Sequence, residues 1–283
     1  MSVKKFPLVS IVITTKNEEK NIRDCLQSIK DQSYPQRSIE IIVVDNNSTD
    51  RTKKIAYEFT DKVFNKGPER SAQRNLGAQK SRGEYYLYVD ADMTLSKNVI
   101  SDAVQMFEKN KQLTGLYISE IVTGTSYWSQ VRRFERSFYD ATVIDCVRMV
   151  RTKDFLEIGG FDESMSGPED WDFDKKIRQK GKTALLKTPI YHNEAEFNLK
   201  KYISKKGYYA QSFATYIKKW GSDDSDIKKQ LGFPYRFVGV FLQDGHWIRL
   251  IRNPHLTLGM YLLRFMVGCK YLSVKFFSSS KSK

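Results

Sequence analysis

Two carboxylates separated by a single residue, at Asp90-Ala91-Asp92, have the spacing of a metal site. They follow an apolar and aromatic run at residues 85–89, which is typical of a buried strand. Where the chain turns at the end of such a strand, both carboxylates can face one pocket. Mg²⁺ and Mn²⁺ prefer carboxylate and phosphate oxygens. The motif therefore predicts a site for a metal and a phosphate, although Asp at a strand end also occurs in solvated Asx turns.

A third candidate ligand is His192, in the segment PIYHNE. A neutral imidazole could complete a metal shell together with Asp92. A single histidine is more often structural, so that alternative stays open on the residues alone. With it, the predicted metal ligands are Asp90, Asp92 and His192.

Polar residues also follow two earlier apolar runs. Residues 15–18 follow the run at 9–14, and Asp45 follows the run at 39–44. A carboxylate at a strand end beside a helix N-terminus can accept hydrogen bonds from a base or ribose. The alternative is that this loop only caps the next helix, through Ser48 or Asp50.

Arg70 and Arg74 are four residues apart, so on a helix they share a face. Their guanidinium groups could contact phosphate or the edge of a base. As an isolated pair they could equally be an exposed basic face.

Glu169 and Asp170 open a predicted helix after Ser-Gly-Pro. A carboxylate at this position could accept the proton of an attacking hydroxyl group. The helix dipole alone could also explain acids in the first turn. Asp172 and Asp174 are interpreted as ordinary acids on a helix face.

These residues are positioned by alternating strands and helices. Strands are predicted at residues 9–14, 39–44, 63–64, 85–89, 115–118, 146–150 and 183–186, and His192 lies just past the last. Helices are predicted from Asn17 as N-cap, near 55–59, and over 71–81, 100–107 and 170–179. The pattern predicts an α/β fold with a doubly wound, mainly parallel sheet and helices on both faces. In such sheets ligands bind beyond the carboxyl ends of the strands, so the three polar loops should line one crevice.

Charge divides the 283 residues unevenly. Residues 1–199 hold 31 Lys and Arg against 29 Asp and Glu, whereas residues 200–283 hold 16 against 4. We expect a catalytic domain over residues 1–199 and a basic, aromatic, helical segment over residues 200–283. The three cysteines, far apart and odd in number, predict neither a disulfide framework nor a zinc site.

The apolar stretch at residues 256–277 is interrupted by Arg264, Lys270 and Lys275. Its longest uncharged run is 11 residues, at 253–263, and about 20 are needed to cross a bilayer. We therefore expect an amphipathic segment lying on an anionic membrane surface. The alternative is a basic-faced helix that packs on the catalytic domain.

Four segments together resemble family 2 glycosyltransferases of the GT-A fold: VSIVITTKNEEKNI, IEIIVVDNNSTDRT, RSAQRNLGAQKSRGEYYLYVDADM and IGGFDESMSGPEDWDFDKKIRQKG. They cover about residues 8–182. The resemblance implies that the nucleoside binds at Thr14, Thr15, Asn17, Glu18 and Asp45, with help from Arg74. Arg70, on the same predicted helix face, is expected to join Arg74. It implies that Asp90-Ala91-Asp92 holds Mn²⁺ or Mg²⁺ on the diphosphate, that His192 completes the metal site, and that Asp170, next to Glu169, is the base.

By the same resemblance, the chain is expected to be an inverting glycosyltransferase. It would move a sugar from a nucleotide-diphosphate-sugar to a hydroxyl group of a lipid-linked or cell-envelope glycan acceptor, at the cytoplasmic face of the membrane. One alternative is a sugar nucleotidyltransferase, but residues 14–19 lack the glycine of a triphosphate-binding loop. The other is a nucleic-acid-binding protein that uses the basic segment. It leaves the carboxylates unexplained, and no nucleic acid is expected.

Overall fold

The computed structural model describes residues 6–280, without the side chains of residues 244 and 275–280. The strands are β1 (Val9–Thr15), β2 (Ile39–Asp45), β3 (Val63–Asn65), β4 (Tyr85–Asp90), β5 (Met93–Leu95), β6 (Leu113–Thr123), β7 (Met149–Arg151) and β8 (Lys182–Asn193). The helices are α1 (Ile22–Lys30), α2 (Thr52–Tyr57), α3 (Arg70–Lys80), α4 (Val99–Lys109), α5 (Tyr127–Arg136), α6 (Thr152–Glu157), α7 (Glu169–Lys180), α8 (Leu199–Ala210), α9 (Phe213–Trp220), α10 (Ser225–Leu231), α11 (Val240–Leu242), α12 (Trp247–Arg252) and α13 (Pro254–Ser280). A π-helical segment, Tyr235–Gly239, precedes α11.

The strands form one sheet in the order β3-β2-β1-β4-β7-β6-β8-β5. The first four are parallel to one another. Of these, β1, β2 and β4 are mostly apolar and buried along nearly their whole length, as expected where helices cover both faces. The chain order reverses between β1 and β4, which is the switch point where α/β sheets bind ligands. The predicted α/β fold with a mainly parallel sheet is therefore confirmed.

The other half of the sheet is antiparallel and less regular. β7 pairs antiparallel with both β4 and β6, and it is shorter than the predicted strand at 146–150. β5 was not predicted; it pairs antiparallel with β8, with Met93 opposite His192. Because β8 extends to Asn193, the prediction that His192 lies beyond the last strand is wrong.

Helix α1 illustrates why the predicted helices form. Ile22, Cys25, Leu26 and Ile29 are all fully buried, which is the face that the spacing predicted. The expectation that Asn17 caps this helix is wrong, because α1 begins at Ile22. Asn17 has a φ of +54°, a conformation that Asn tolerates better than most residues.

The chain divides into two compact units. The first contains residues 1–120, 146–163 and 173–193, and the second contains residues 121–145, 164–172 and 194–283. The second unit has its own apolar core, in which α5, α11 and α13 contribute Phe134, Phe241, Met260 and Leu263. The predicted boundary near residue 200 remains a prediction.

Helix α13 is 27 residues long and carries buried and exposed apolar residues. Within residues 6–280, no helix combines the length and the apolar character that crossing a bilayer requires.

Candidate active site

The ends of β1, β2 and β4 lie side by side at one edge of the sheet, as predicted. The register places Thr15 opposite Asp45 and Thr14 opposite Asp90. The Thr14 hydroxyl donates to Asp90 Oδ1 at 2.8 Å, and the Ala91 amide donates to the Thr14 carbonyl at 3.2 Å. Parallel pairing therefore positions the first carboxylate of Asp90-Ala91-Asp92 next to the loop after β1.

Asp90 is held by two arginines from the first turns of α3. Arg74 Nη2 lies 3.2 Å from Asp90 Oδ1, and Arg70 Nη1 lies 3.3 Å from Asp90 Oδ2. Arg74 is buried, with its guanidinium 4.5 Å from the Tyr88 ring and 5.0 Å from the Phe161 ring. The pair is therefore not an exposed basic face; it is part of this site.

The electrostatics follow from these contacts. Burial alone would raise the pKa of Asp90. The positive charges of Arg70, Arg74 and Arg148, with the hydrogen bond from Thr14, outweigh burial and hold that pKa well below its ordinary value. Asp90 is consequently an anion that neutralises part of a strongly cationic pocket.

Asp92 and His192 meet because β5 pairs with β8. His192 Nε2 lies 3.2 Å from Asp92 Oδ2, and His192 Nδ1 lies 3.0 Å from Glu120 Oε1. Glu120 in turn accepts a hydrogen bond from Arg148 at 2.6 Å. Burial lowers the pKa of His192, but the two carboxylates outweigh it and raise that pKa to about 10.

The donor set of this site fits a divalent cation. Asp92 Oδ1 is buried and has no hydrogen-bond partner among the described residues, which is costly for a carboxylate oxygen. Asp92 offers an oxygen ligand, and His192 would offer a nitrogen ligand once a cation displaces its proton; phosphate or water could fill the remaining positions. In the part of the chain that the structure describes, no group of three or more His, Cys, Asp or Glu residues is arranged to hold a metal by itself.

The loop after β1 is tied to the loop after β2. The Asn17 amide donates to Ser48 Oγ at 2.7 Å, and Asn17 Oδ1 accepts from the Thr49 amide at 2.9 Å. The Glu18 amide donates to Thr52 Oγ1 at 2.8 Å. These bonds give the predicted nucleoside-binding residues a fixed geometry.

Asp45 is fully buried. Its two oxygens accept hydrogen bonds from the Ser48 amide at 2.7 Å and the Ser48 hydroxyl at 2.5 Å. Asp45 therefore shapes its own loop, whereas Asp50 bonds the first residue of α2, Thr52, at 3.0 Å. The contact of Asp45 with a nucleoside remains a prediction.

Three residues of the site were missed from the sequence. Gln73, between the two arginines of α3, donates to the carbonyls of Thr15 at 3.0 Å and Val44 at 2.6 Å. Its place in the Arg-x-x-x-Arg segment was an available signal. Glu120 and Arg148 carried none, because only the order of the strands β7, β6 and β8 in the sheet brings them to His192.

Glu169 and Asp170 belong to the second unit, in the first turn of α7. Glu169 is buried, whereas Asp170 is partly exposed. Asp170 is therefore the more accessible of the two predicted bases.

The interpretation of Asp172 and Asp174 as surface acids is wrong, since both are fully buried. Asp172 accepts a hydrogen bond from Trp220 at 2.8 Å and pairs with Lys219 at 2.8 Å. Asp174 pairs with Arg178 at 2.7 Å. Burial, only partly offset by Arg178, raises the pKa of Asp174 to about 6.

The sheet and its strand-end pocket define an α/β protein of the GT-A type. The model of the family described as glycosyl transferase family 2 matches residues 10–159 of the chain. This segment includes the pocket residues from Thr14 to Arg148, and it is more than half of the chain. The protein belongs to this family.

Individual relatives match over shorter segments. The chain is 37% identical over 93 residues to glycosyltransferase AglE of Haloferax volcanii, which covers 30% of this chain and 31% of AglE. It is 31% identical over 110 residues to the poly(ribitol-phosphate) beta-N-acetylglucosaminyltransferase TarS of Staphylococcus aureus, which covers 36% of this chain and 19% of TarS. The chain thus matches less than a third of the length of these curated relatives.

Two solved structures share the fold over nearly the whole chain. The mannosyltransferase PcManGT of Pyrobaculum calidifontis, solved in complex with GDP-Man and Mn²⁺, has a TM-score of 0.63 at 20% identity and covers 99% of this chain and 89% of its own. S. aureus TarS 1–349 in complex with UDP-GlcNAc has a TM-score of 0.57 at 18% identity. It covers 97% of this chain and 92% of its own. At these identities the likeness establishes the fold alone.

Proposed function

We propose that the protein is an inverting glycosyltransferase that uses a nucleotide-diphosphate-sugar as donor. The observation that carries the proposal is the pairing of Asp92 with His192, beside a pocket where Arg70 and Arg74 supply positive charge. Family membership and relatives that bind GDP-Man with Mn²⁺ or UDP-GlcNAc support it. The nucleoside would lie against the linked loops that carry Thr15, Asn17, Glu18 and Asp45.

Asp92 and His192 would hold the Mn²⁺ or Mg²⁺ ion. When bound, the cation would neutralise charge on the departing diphosphate. Arg70 and Arg74 would contact the phosphates, and Asp90 would keep the two guanidinium groups in place. Asp90 is thereby assigned to the arginines rather than to the metal.

We assign the base to Asp170. The oxygen of the acceptor hydroxyl would attack the anomeric carbon as the bond to the diphosphate oxygen breaks, and the proton would pass to Asp170. A single displacement of this kind inverts the anomeric configuration. The support is the family resemblance and the exposure of Asp170 at the start of α7.

For the acceptor, we propose a lipid-linked or cell-envelope glycan reached from an anionic membrane surface, at the cytoplasmic face. Two features support this assignment: the excess of Lys and Arg in residues 200–283 and the exposed apolar side chains of α12 and α13.

A thermal-shift screen of nucleoside diphosphates and their sugars, with and without Mn²⁺, tests the donor assignment, since a ligand of the native state raises Tm. We expect the nucleotides of one nucleobase to raise Tm more with Mn²⁺ than without it.

Asp92→Asn should lose the Mn²⁺-dependent part of this Tm shift and nearly all sugar transfer. Asp170→Asn should retain the shift while its kcat falls by roughly 100-fold or more. A wild-type protein with no shift for any sugar nucleotide would contradict the proposal, and ordinary turnover in Asp170→Asn would remove the base assignment.

A further inference from the structure

The second compact unit contains a buried cluster of charges that the proposed reaction does not use. Glu135 on α5 pairs with Arg132 at 2.5 Å and with Arg264 of α13 at 3.1 Å. Arg132 also pairs with Glu194 at 3.3 Å. Two arginines and two glutamates are thus balanced within the cluster.

Two further cations, Lys206 of α8 and Arg236 of the π-helical segment, join this cluster. The Arg236 carbonyl accepts a hydrogen bond from Arg264, which places this residue at the cluster, and the charge of Glu135 acts on both cations. In the described portion of the chain, neither is within ion-pair distance of a carboxylate. The Lys206 ammonium lies 5.2 Å from the Tyr202 ring and 5.7 Å from the Tyr209 ring. The Arg132 guanidinium lies 4.8 Å from the centre of the same Tyr202 ring.

This surplus of positive charge is energetically unfavourable. Charges that are partly withdrawn from water normally have partners of opposite sign, and here Glu135 and Glu194 already pair with Arg132 and Arg264. Burial, followed by the charges of Arg132, Arg236 and Lys205, lowers the pKa of Lys206 to about 7. An anion placed between these side chains would remove the repulsion and restore the ordinary basicity of Lys206.

Both surplus cations can be reached from solvent. Lys206 and Arg236 are partly exposed, whereas Glu135, Arg264 and the Tyr139 ring behind them are buried. Tyr139 donates to Glu135 at 2.7 Å and accepts from Arg264. The arginines and glutamates of the cluster are thus paired with one another, whereas Lys206 and Arg236 have no carboxylate within ion-pair distance among the described residues.

We infer that Lys206 and Arg236, backed by Arg132, form a binding site for a phosphate-bearing group, either a terminal phosphate or a diphosphate. Phosphate oxygens suit this set, because Arg presents paired donors and Lys a compact charge. All the residues lie in the second unit, and none belongs to the strand-end pocket. The inference therefore does not depend on the proposed sugar transfer. The phosphate could be carried by a soluble molecule or by a lipid.

Titration calorimetry with inorganic pyrophosphate, in EDTA to exclude metal binding, tests the site. We expect saturable binding that Lys206→Met and Arg236→Met each weaken by about tenfold, the loss of one charge-assisted contact. Lys206→Arg, which keeps the charge, should bind within about threefold of wild type. Lys201→Gln, which removes an exposed charge from the same helix, is the matched control and should bind as wild type. Circular dichroism melts of every variant check that the fold is intact.

Absence of binding to the wild-type protein would overturn the inference. So would binding that Arg70→Gln abolishes and Lys206→Met leaves unchanged, because the pyrophosphate would then occupy the strand-end pocket. Vesicles containing phosphatidic acid or phosphatidylglycerol at equal charge identify the source. A Lys206→Met defect confined to phosphatidic acid indicates a lipid-borne terminal phosphate, and a defect seen only with pyrophosphate indicates a soluble ligand.

Discussion

His192 is held on both sides of its ring by carboxylates. The Glu120 contact to Nδ1 leaves Nε2 directed at Asp92, the arrangement in which a second carboxylate orients a metal-binding histidine. Arg148 fixes Glu120 from the far side. At the scale of single residues, Glu120 is therefore a positioning residue, and it contacts neither nucleotide nor sugar in the proposed reaction.

Replacing Glu120 with Gln keeps the size of the side chain and removes its charge. We expect Glu120→Gln to weaken Mn²⁺ binding by about tenfold or more, because the histidine loses its oriented partner. Calorimetric titration of the variant with Mn²⁺ measures the change without any substrate. Glu58→Gln, which removes an exposed carboxylate that pairs with Arg23 at the surface, is the control. Equal Mn²⁺ affinity in the wild type and in Glu120→Gln would show that Glu120 does not orient His192.

At the scale of elements, the close contact of α3 with β1 positions the two arginines of the pocket. A Cβ added at Gly77 would lie 2.3 Å from Val12 Cγ1, so only glycine allows this approach. We expect Gly77→Ala to lower the free energy of unfolding by about 1–3 kcal/mol through overpacking, although alanine favours helix. Denaturant titration measures the change.

Gly268 in α13 provides the matched comparison, because a Cβ there would meet nothing within 4 Å. Gly268→Ala should therefore raise the free energy of unfolding by up to about 1 kcal/mol. If Gly77→Ala were as stable as wild type or more stable, as expected for Gly268→Ala, the contact between α3 and β1 would not be as tight as the structure has it.

Glu40 joins β2 to its neighbours. It accepts hydrogen bonds from Ser10 on β1, from Lys62, and from the backbone and side chain of Arg82, the last two at 2.8 Å. Burial raises the pKa of Glu40, but these bonds outweigh it and lower the pKa to about 2. Since the folded-state pKa lies below the ordinary value of 4.5, the ionised group stabilises the fold above that value, and the stabilisation is lost as pH falls toward 2.

Glu40→Gln should therefore cost about 2 kcal/mol or more at pH 7. The difference from wild type should shrink to roughly half by pH 3. Urea titrations at several pH values measure both quantities. A difference that stays constant between pH 7 and pH 3 would mean that the charge of Glu40 is not what stabilises the strands.

The parallel half of the fold could be predicted because each of its elements carries its own pattern. Ile22, Cys25, Leu26 and Ile29 specify one face of α1, and the strand ends at Asp45 and Asp90 follow from uninterrupted apolar runs. β5 has only three residues, which is too short for an alternation of apolar and polar residues to be recognised. The contact between Asp92 and His192 depends on how that strand pairs with β8. The hydrogen bonds between the two loops depend on the left-handed conformation of Asn17. Nothing in the sequence around Asn17 indicates that it contacts Ser48 and Thr49, about 30 residues away.

At the scale of the whole molecule, the excess of basic residues and the exposed apolar residues occur in the same part of the sequence. On α13, Leu258, Leu262, Phe265 and Leu272 are half exposed or more, with relative exposures of 72, 50, 64 and 50%. Their spacing of four, three and seven residues places them on one side of the helix. Trp247, Ile248 and Ile251 of α12 are also exposed. A surface of this composition suits an anionic bilayer, where apolar side chains enter the headgroup region and Lys and Arg remain at the phosphates.

The apolar side of α13 should therefore determine membrane binding. We expect the triple variant Leu258→Ser, Leu262→Ser and Phe265→Ser to sediment with phosphatidylglycerol vesicles at least tenfold more weakly than wild type, since each large side chain buried in the interface contributes about 1.5 kcal/mol or more. Leu156→Ser on α6, an equally exposed leucine, should bind as wild type. Raising the salt concentration should weaken wild-type binding, because part of the attraction is between Lys and Arg and the lipid charge. A triple variant that binds as tightly as wild type would show that α13 does not enter the bilayer surface, and that any attraction is purely electrostatic.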